Sequence, residues 1–367
     1  VVFFKKTVAM LNSLGIFTPV NRRFVTLIKE KLMNKKLLAV AIASAVAAPM
    51  AVLADEGNVT ISGHANMAVE VTDNGNDSTT NVATNGSDLA ISGWEGLGNG
   101  LKAVFLMKSH IGLDDGSLFN AGGKDGYAGL AGAFGTVALG FHGQPYKTST
   151  GGLDIFNDTI ADHSSVMNGG GVYDSGIGNA IIWFLPNMNG FSGHLQYGAD
   201  ETGNDNNPWG AQFNYSNGPW YVTYAHADDG VDGTADKIGG SFTFGGATTL
   251  AVIYETLDGN SSSPASAHLD HDAFYLALSH NMGNNTFKLA YANADDDTAS
   301  STGADYWAVG VDHHFSKRTL VYGLYTRVNN DSNGTYGLGT TGSSNATGAV
   351  APGEDPSSFA FGIKHSF

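Results

Sequence analysis

From Val59 to Val71 the chain alternates strictly between two kinds of residue. Val59, Ile61, Gly63, Ala65, Met67, Val69 and Val71 share one face, and Thr60, Ser62, His64, Asn66, Ala68 and Glu70 share the other. A period of two is the mark of a β-strand, whose successive side chains point to opposite sides. This run is more than twice the usual length of about five or six residues for a globular strand. It suits a tilted strand crossing a bilayer, with one face to lipid and the other to water. Leu101, Ala103, Phe105 and Met107 repeat the pattern against Lys102, Val104, Leu106 and Lys108, as do Val137, Leu139 and Phe141 against Thr136, Ala138, Gly140 and His142. In the last segment Phe359, Phe361, Ile363, His365 and Phe367 fall on one face.

Connections between these segments come in two lengths. Short ones are Gly132-Ala133, Asn187-Met188-Asn189, Ser216-Asn217-Gly218, Gly245-Gly246, Asn281-Met282-Gly283 and Ser316-Lys317. Long, polar, mostly acidic ones cover 72–85, 114–124, 143–178, 201–206, 229–235, 259–269, 296–302 and 330–356. Short turns at one end and long loops at the other are the asymmetry of membrane barrels. Sixteen strands fit between them, from 58–71 and 86–94 through to 318–329 and 357–367. The expected fold is all-β, a 16-stranded antiparallel transmembrane β-barrel, whose closure removes exposed sheet edges.

The first 54 residues differ from the rest. They carry 8 of the 18 Lys and Arg but only one acid, Glu30. Met33-Asn34-Lys35-Lys36 opens a basic segment, Leu37 to Ala54 is apolar, and Val52-Leu53-Ala54 is a small-residue exit. Residues 33–54 therefore read as a secretory signal peptide, with 1–32 an upstream extension outside the fold and 55–367 the barrel. That body holds 10 basic against 33 acidic residues, a formal charge of −23. Such a surface repels nucleic acid and favours cations. Cys is absent, which excludes disulfides, zinc–thiolate sites and thiol nucleophiles.

Residues 93–107, Gly-Trp-Glu-Gly-Leu-Gly-Asn-Gly-Leu-Lys-Ala-Val-Phe-Leu-Met, resemble a stretch of the Gram-negative general porins, with Gly96 where that family has Asp. Residues 128–140, 315–322 and 361–367 are similar to further family segments, in the same order. The resemblance implies an outer-membrane homotrimer, one pore per barrel, that passes small hydrophilic solutes and ions. It implies partners in lipid and lipopolysaccharide, no cofactor, and a terminal Phe367 read by the barrel-assembly machinery. It also implies that the third long loop, about 143–178, folds inward to narrow the pore. On that loop Asp154, Asp158 and Asp162 are the candidate constriction acids. Alternation places Lys102, Lys108, Lys288, Arg327 and Lys364 on the inner wall, with His64, His110 and His142 beside them. The family's wall arginines are largely missing, so a cation preference is expected.

Other chemistries have weaker support. A substrate-specific porin would line its lumen with aromatics, for which Tyr306, Tyr325 and Trp183 are the candidates. A barrel enzyme would need a held Ser–His pair, and Ser164 beside His163 is the nearest approach. His268-Leu269-Asp270-His271-Asp272 and His313-His314 contain metal-ligand types. His313 and His314, as strand neighbours, point to opposite faces, and no metal site is expected.

Overall fold

The computed structural model describes residues 57–117, 124–167, 173–259, 270–297, 300–339, 343–347 and 350–367. The expected signal peptide and upstream extension, and His268 of the first histidine cluster, lie outside them. The described chain forms one antiparallel sheet closed on itself. Its segments are β1 (Gly57–Asp73), β2 (Ser78–Thr84), β3 (Asp88–Gly98), β4 (Leu101–His110), β5 (Asp125–Gly132), β6 (Gly135–Gly143), β7 (Gly176–Phe184), β8 (Phe191–Gly198) and β9 (Trp209–Asn217). They continue through β10 (Trp220–Asp228), β11 (Thr234–Phe244), β12 (Thr248–Asp258), β13 (Asp272–Met282), β14 (Asn285–Ala294), β15 (Ala304–His314), β16 (Thr319–Asn330) and β17 (Ser357–Ser366).

Seventeen segments build sixteen staves. β3 pairs with β1 along residues 57–64 and β2 pairs with β1 along residues 67–73, so the two are successive parts of one stave. The expected loop at 72–85 is thereby corrected. Only a short turn follows Asp73 before the chain folds back as β2. The stave breaks at Asn85–Ser87, where the Asn66 N–H bonds the Ser87 hydroxyl at 2.9 Å and the Asn85 N–H bonds the Asn66 carbonyl at 2.9 Å. Closure comes from β17, which pairs with β1 from His64↔Ser366 to Asp73↔Ser357. The two-residue turn at Gly245 (φ 54°) and Gly246 (φ 72°) shows why short connections are glycine-rich. Both positions take a left-handed backbone that other residues adopt only under strain.

Burial is inverted relative to a water-soluble protein. Val59 (66% exposed), Leu139 (60%), Phe361 (64%) and many like them stand outside, while Asn66, Glu70, Lys237 and Glu255 are buried within. Only a hydrocarbon surrounding makes that outer face favourable. Aromatics gather at both ends of the apolar belt, as at membrane–water boundaries. Phe191 and Tyr215 (4.5 Å between ring centres) and Trp220 and Phe242 (4.3 Å) lie toward the short turns. Trp307 and Phe359 flank Tyr325 toward the long loops. There, three outward tyrosines donate to carboxylates of the neighbouring strand: Tyr224 to Asp236, Tyr254 to Asp272 and Tyr291 to Asp305.

Two expected orientations are corrected by the register. Tyr325 and Arg327 lie on the outer face of β16, because Tyr322 of the same strand points inward and bonds Asn66 and Asn85. Arg327 is opposite Trp307 in the ladder and pairs with Asp355 of the last long connection at 2.9 Å.

Candidate pore constriction

The segment between β6 and β7 turns into the barrel. It opens with a short helix, α1 (Pro145–Thr150), packed on the inner faces of β9, β10 and β11. Leu153, Phe156, Ile160, Val166 and Met167 follow, all almost fully buried against the wall. Burying each of these side chains is worth about 1.5–3 kcal/mol. The wall is shaped to receive them. Its inward positions on β12–β15 include Ala251, Ala277, Ala290, Ala292 and Ala308, which leave room for a second layer. At two places even an alanine would make a loop side chain shift. A Cβ on Gly239 would stand 2.5 Å from Leu153 Cδ1, and one on Gly310 would stand 2.9 Å from the Phe156 ring.

Polar bonds fix the loop along its length. Tyr146 donates to Glu255 at 2.6 Å, and its ring carries Lys237 Nζ at 3.9 Å. Lys237 and Glu255 form a fully buried ion pair at 3.3 Å. Tyr221 donates to the Ser149 carbonyl at 3.0 Å, and Tyr306 donates to the Ala161 carbonyl. At the far wall the Asn66 amide donates to the Asp158 carbonyl at 2.7 Å.

The three loop acids separate into two roles. Asp154 and Asp162 are buried inside the loop instead of facing the lumen. Asp154 accepts from the Phe156 N–H (2.9 Å), the His163 N–H (3.1 Å) and the Tyr275 hydroxyl (3.0 Å). Asp162 accepts from the Ser164 N–H at 2.9 Å and so caps the single turn at His163–Ser165. His163 Nδ1 stands 3.5 Å from Asp154 and 3.3 Å from Asp162. These three side chains also have metal-ligand character, with one ligand atom of each within 4.8 Å of the others. Here the histidine is shared between the two carboxylates. The histidine next to Ser164 is thus turned to the two carboxylates.

Burial disfavours the charge on His163, but Asp154 and Asp162 outweigh it and push its pKa up to about 9. Burial pushes Asp154 up to about 6 against the pull of His163. Burial also opposes the charge on Asp162, yet its bonds to His163 and Ser164 hold it below the usual carboxylate range. A raised histidine pKa contributes stability that is complete below its unfolded value and is lost as pH rises through the folded one. The loop seat is therefore expected to weaken progressively as pH rises above neutral, with the histidine's contribution lost by about pH 9. Single-channel recordings between pH 7 and 10 check this, and current noise that does not change across that range contradicts it.

Asp158 is different. It adopts a left-handed backbone (φ 58°) that turns its carboxylate toward the opposite wall. There it meets Lys364 at 3.4 Å and His64 at 3.7 Å. Beside them Asp88 holds Lys108 (3.0 Å), Lys124 (3.2 Å) and His64 (3.3 Å). Lys124 also donates to the Gly86 carbonyl at 2.7 Å. His142 bonds Asp125 at 2.6 Å, and Lys147 pairs with Asp174 at 3.6 Å. Lys288 faces inward and pairs with Asp312. Lys102 sits near the short turns with its ammonium 4.1 Å over the Trp94 ring. Lys124, Asp88 and Asp125 belong to this constellation although alternation did not nominate them. Lys124 precedes its strand, and Asp88 begins the segment after the break in a stave.

The aromatic candidates are placed elsewhere. Tyr306 is buried beneath the loop. Trp183 lies outside, 42% exposed, and donates to the Phe134 carbonyl. His313 bonds Asn285 and His314 bonds Thr286 on opposite faces.

A closed barrel with an apolar exterior, a polar interior and an inward loop that narrows the lumen defines an outer-membrane channel protein. The chain matches the Gram-negative porin family over residues 39–333 and belongs to that family. It is 31% identical to the outer membrane porin protein 32 of Delftia acidovorans, over 91% of this chain and the whole of that one. To the major outer membrane protein P.IB of Neisseria meningitidis serogroup B it is 28% identical, over 78% of this chain and 91% of the relative. Among solved structures, an anion-selective porin from Comamonas acidovorans aligns with a TM-score of 0.70 at 27% identity. That alignment covers 85% of this chain and all of that one. OmpT of Vibrio cholerae shares the fold at a TM-score of 0.67 and 14% identity, over 85% of this chain and all of that one.

Proposed function

We propose that the protein is a general diffusion porin, working as a trimer, whose eyelet is edged by the cluster in which Asp158 of the third loop meets Lys364 and His64 beside Lys108 and Lys124. The supporting observation is the charge count at that level. Three lysines, with His64 and His142, surround three carboxylates, Asp88, Asp125 and Asp158, and every carboxylate already has a basic partner. The large acidic excess of the chain lies elsewhere, on long connections (Asp114, Asp115, Asp200, Glu201, Asp296, Asp331) and on the outer rim (Asp236, Asp272, Asp305). Composition therefore overstates cation preference. The narrow point is balanced in fixed charge, with two histidines beside it, which accords better with a relative described as anion-selective than with the acidic total of the chain. The acidic mouth still concentrates cations where screening is weak. The Debye length is about 10 Å at 0.1 M salt and about 3 Å at 1 M.

Reversal potentials of single trimers under potassium chloride gradients test this reading. Weak anion preference is expected near 1 M, drifting toward cations as salt is lowered. Asp158→Asn is expected to strengthen anion preference, and Lys108→Gln with Lys364→Gln to reverse it. A firm cation preference at 1 M sinks the assignment. The C-terminal Phe367, whose backbone pairs with Gly63, serves in this reading as the assembly signal, and its removal is expected to lower barrel yield.

A further inference from the structure

On the short-turn side of the third loop lies a cavity of about 380 Å³, between the loop and the inner faces of β14–β17. We propose that it is a binding site for a small organic anion, a carboxylate on an apolar body, which rests on the channel reading in that the cavity opens to the permeation path. Its basic groups come from three strands, β14, β15 and β17, and from the turn before β16: Lys288, His314, Lys364, and Lys317 with Arg318. The ladder brings them together. His314 stands opposite Leu320, Leu320 opposite Lys364, and the Ser366 N–H bonds the Arg318 carbonyl at 2.8 Å.

The carboxylates that face this set are Asp312, Asp154 and, at its edge, Asp158. Asp312 is engaged by Lys288, Asp158 by Lys364, and Asp154 by three donors and His163. Lys317 and Arg318 stand exposed on the turn and form no side-chain ion pair among the described residues, which leaves both open to an incoming anion. An arginine fork binds a carboxylate through two parallel hydrogen bonds, which makes it the stronger half of the pair. Across the cavity Ile155 and Leu320 are partly open, with Phe156 and Leu324 behind them. This apolar wall favours an organic anion over a fully hydrated inorganic one. The volume falls within the range of roughly 300–1,000 Å³ of small-molecule sites.

The test is a titration of 4-fluorobenzoate into the purified, detergent-solubilised barrel, followed by fluorine line broadening, with folding verified by heat-dependent gel migration. Saturable binding is expected, with benzoate displacing the probe at lower concentration than inorganic phosphate does. Lys317→Gln with Arg318→Gln is expected to weaken binding about ten-fold, the loss of one charge-assisted pair, and Arg318→Lys to restore part of it. Leu320→Ser is expected to weaken benzoate while leaving phosphate competition in place. Unchanged affinity in the double variant, or phosphate that displaces as well as benzoate, overturns the proposal. The readout does not depend on conduction. A barrel that conducts without binding overturns this site alone, and one that binds without conducting overturns the channel reading alone.

Discussion

His163→Ala is expected to unseat the third loop while leaving the barrel closed. The histidine is the one cation between two buried carboxylates, at 3.5 Å from Asp154 and 3.3 Å from Asp162. Removing one member of a buried ion set costs about 3–5 kcal/mol, because the remaining charges are left uncompensated away from water. Little of that cost reaches the strands, whose ladder is continuous without the loop. It falls on the segment from Asp154 to Met167, which the triad folds onto the wall. Planar-bilayer recordings should show a larger mean conductance with strong open-channel noise, and limited proteolysis should reach the loop in folded barrels. Adding Asp154→Asn removes one of the stranded charges and should recover part of the loss, an interaction that a double-mutant cycle measures directly. Quiet currents of unchanged amplitude in the single variant would show that apolar packing alone seats the loop.

The same loop explains what the sequence discloses and what it hides. Where the lumen is wet, inward residues are polar and outward ones apolar, so alternation reads correctly in phase. β1, β4 and β17 are of this kind over much of their length, with His64, Lys108 and Lys364 inside. Under the loop the wall faces protein on one side and lipid on the other. There Tyr322, Leu324 and Val328 point inward as apolar residues, and Arg327 reaches the outer rim, where a charge is tolerated. The contrast between faces disappears, and a phase taken from polarity puts Arg327 on the wrong side.

Charge was misplaced for a related reason. A count over the whole chain weights external loops as heavily as the narrowest point, although few charges act there. Asp154 and Asp162 carry the same sequence signal as Asp158, an acid on a long inward loop. Their burial depends on a partner, His163, whose side chain reaches both only once the loop is folded. No local pattern separates a charge that faces water from one that holds the loop together. The sixteen-stave barrel was legible because enough strands keep the alternation, and short and long connections mark off the others. The constriction was legible only as a region.

The second large effect belongs to the outer face. Leu289, 53% exposed at the middle of β14, is flanked by Leu278 and Val309 of the adjoining strands. Leu289→Lys places an ammonium in this apolar belt. At the bilayer midplane such a substitution costs about 2–4 kcal/mol, falling to about 0–1 kcal/mol near the interface. Thr256→Lys gives the contrast. It lies outward on β12 next to the long-loop rim, paired in the ladder with Asp236 and Asp272, which would meet the new cation. Equilibrium refolding into lipid vesicles across a urea series, read by gel migration, should show Leu289→Lys losing stability and Thr256→Lys nearly unchanged. Water in place of lipid reverses the expectation, because an exposed leucine changed to lysine is then neutral or favourable. Equal stability of the two variants would therefore mean that this face of the barrel does not meet hydrocarbon, and the orientation of every strand would have to be drawn again.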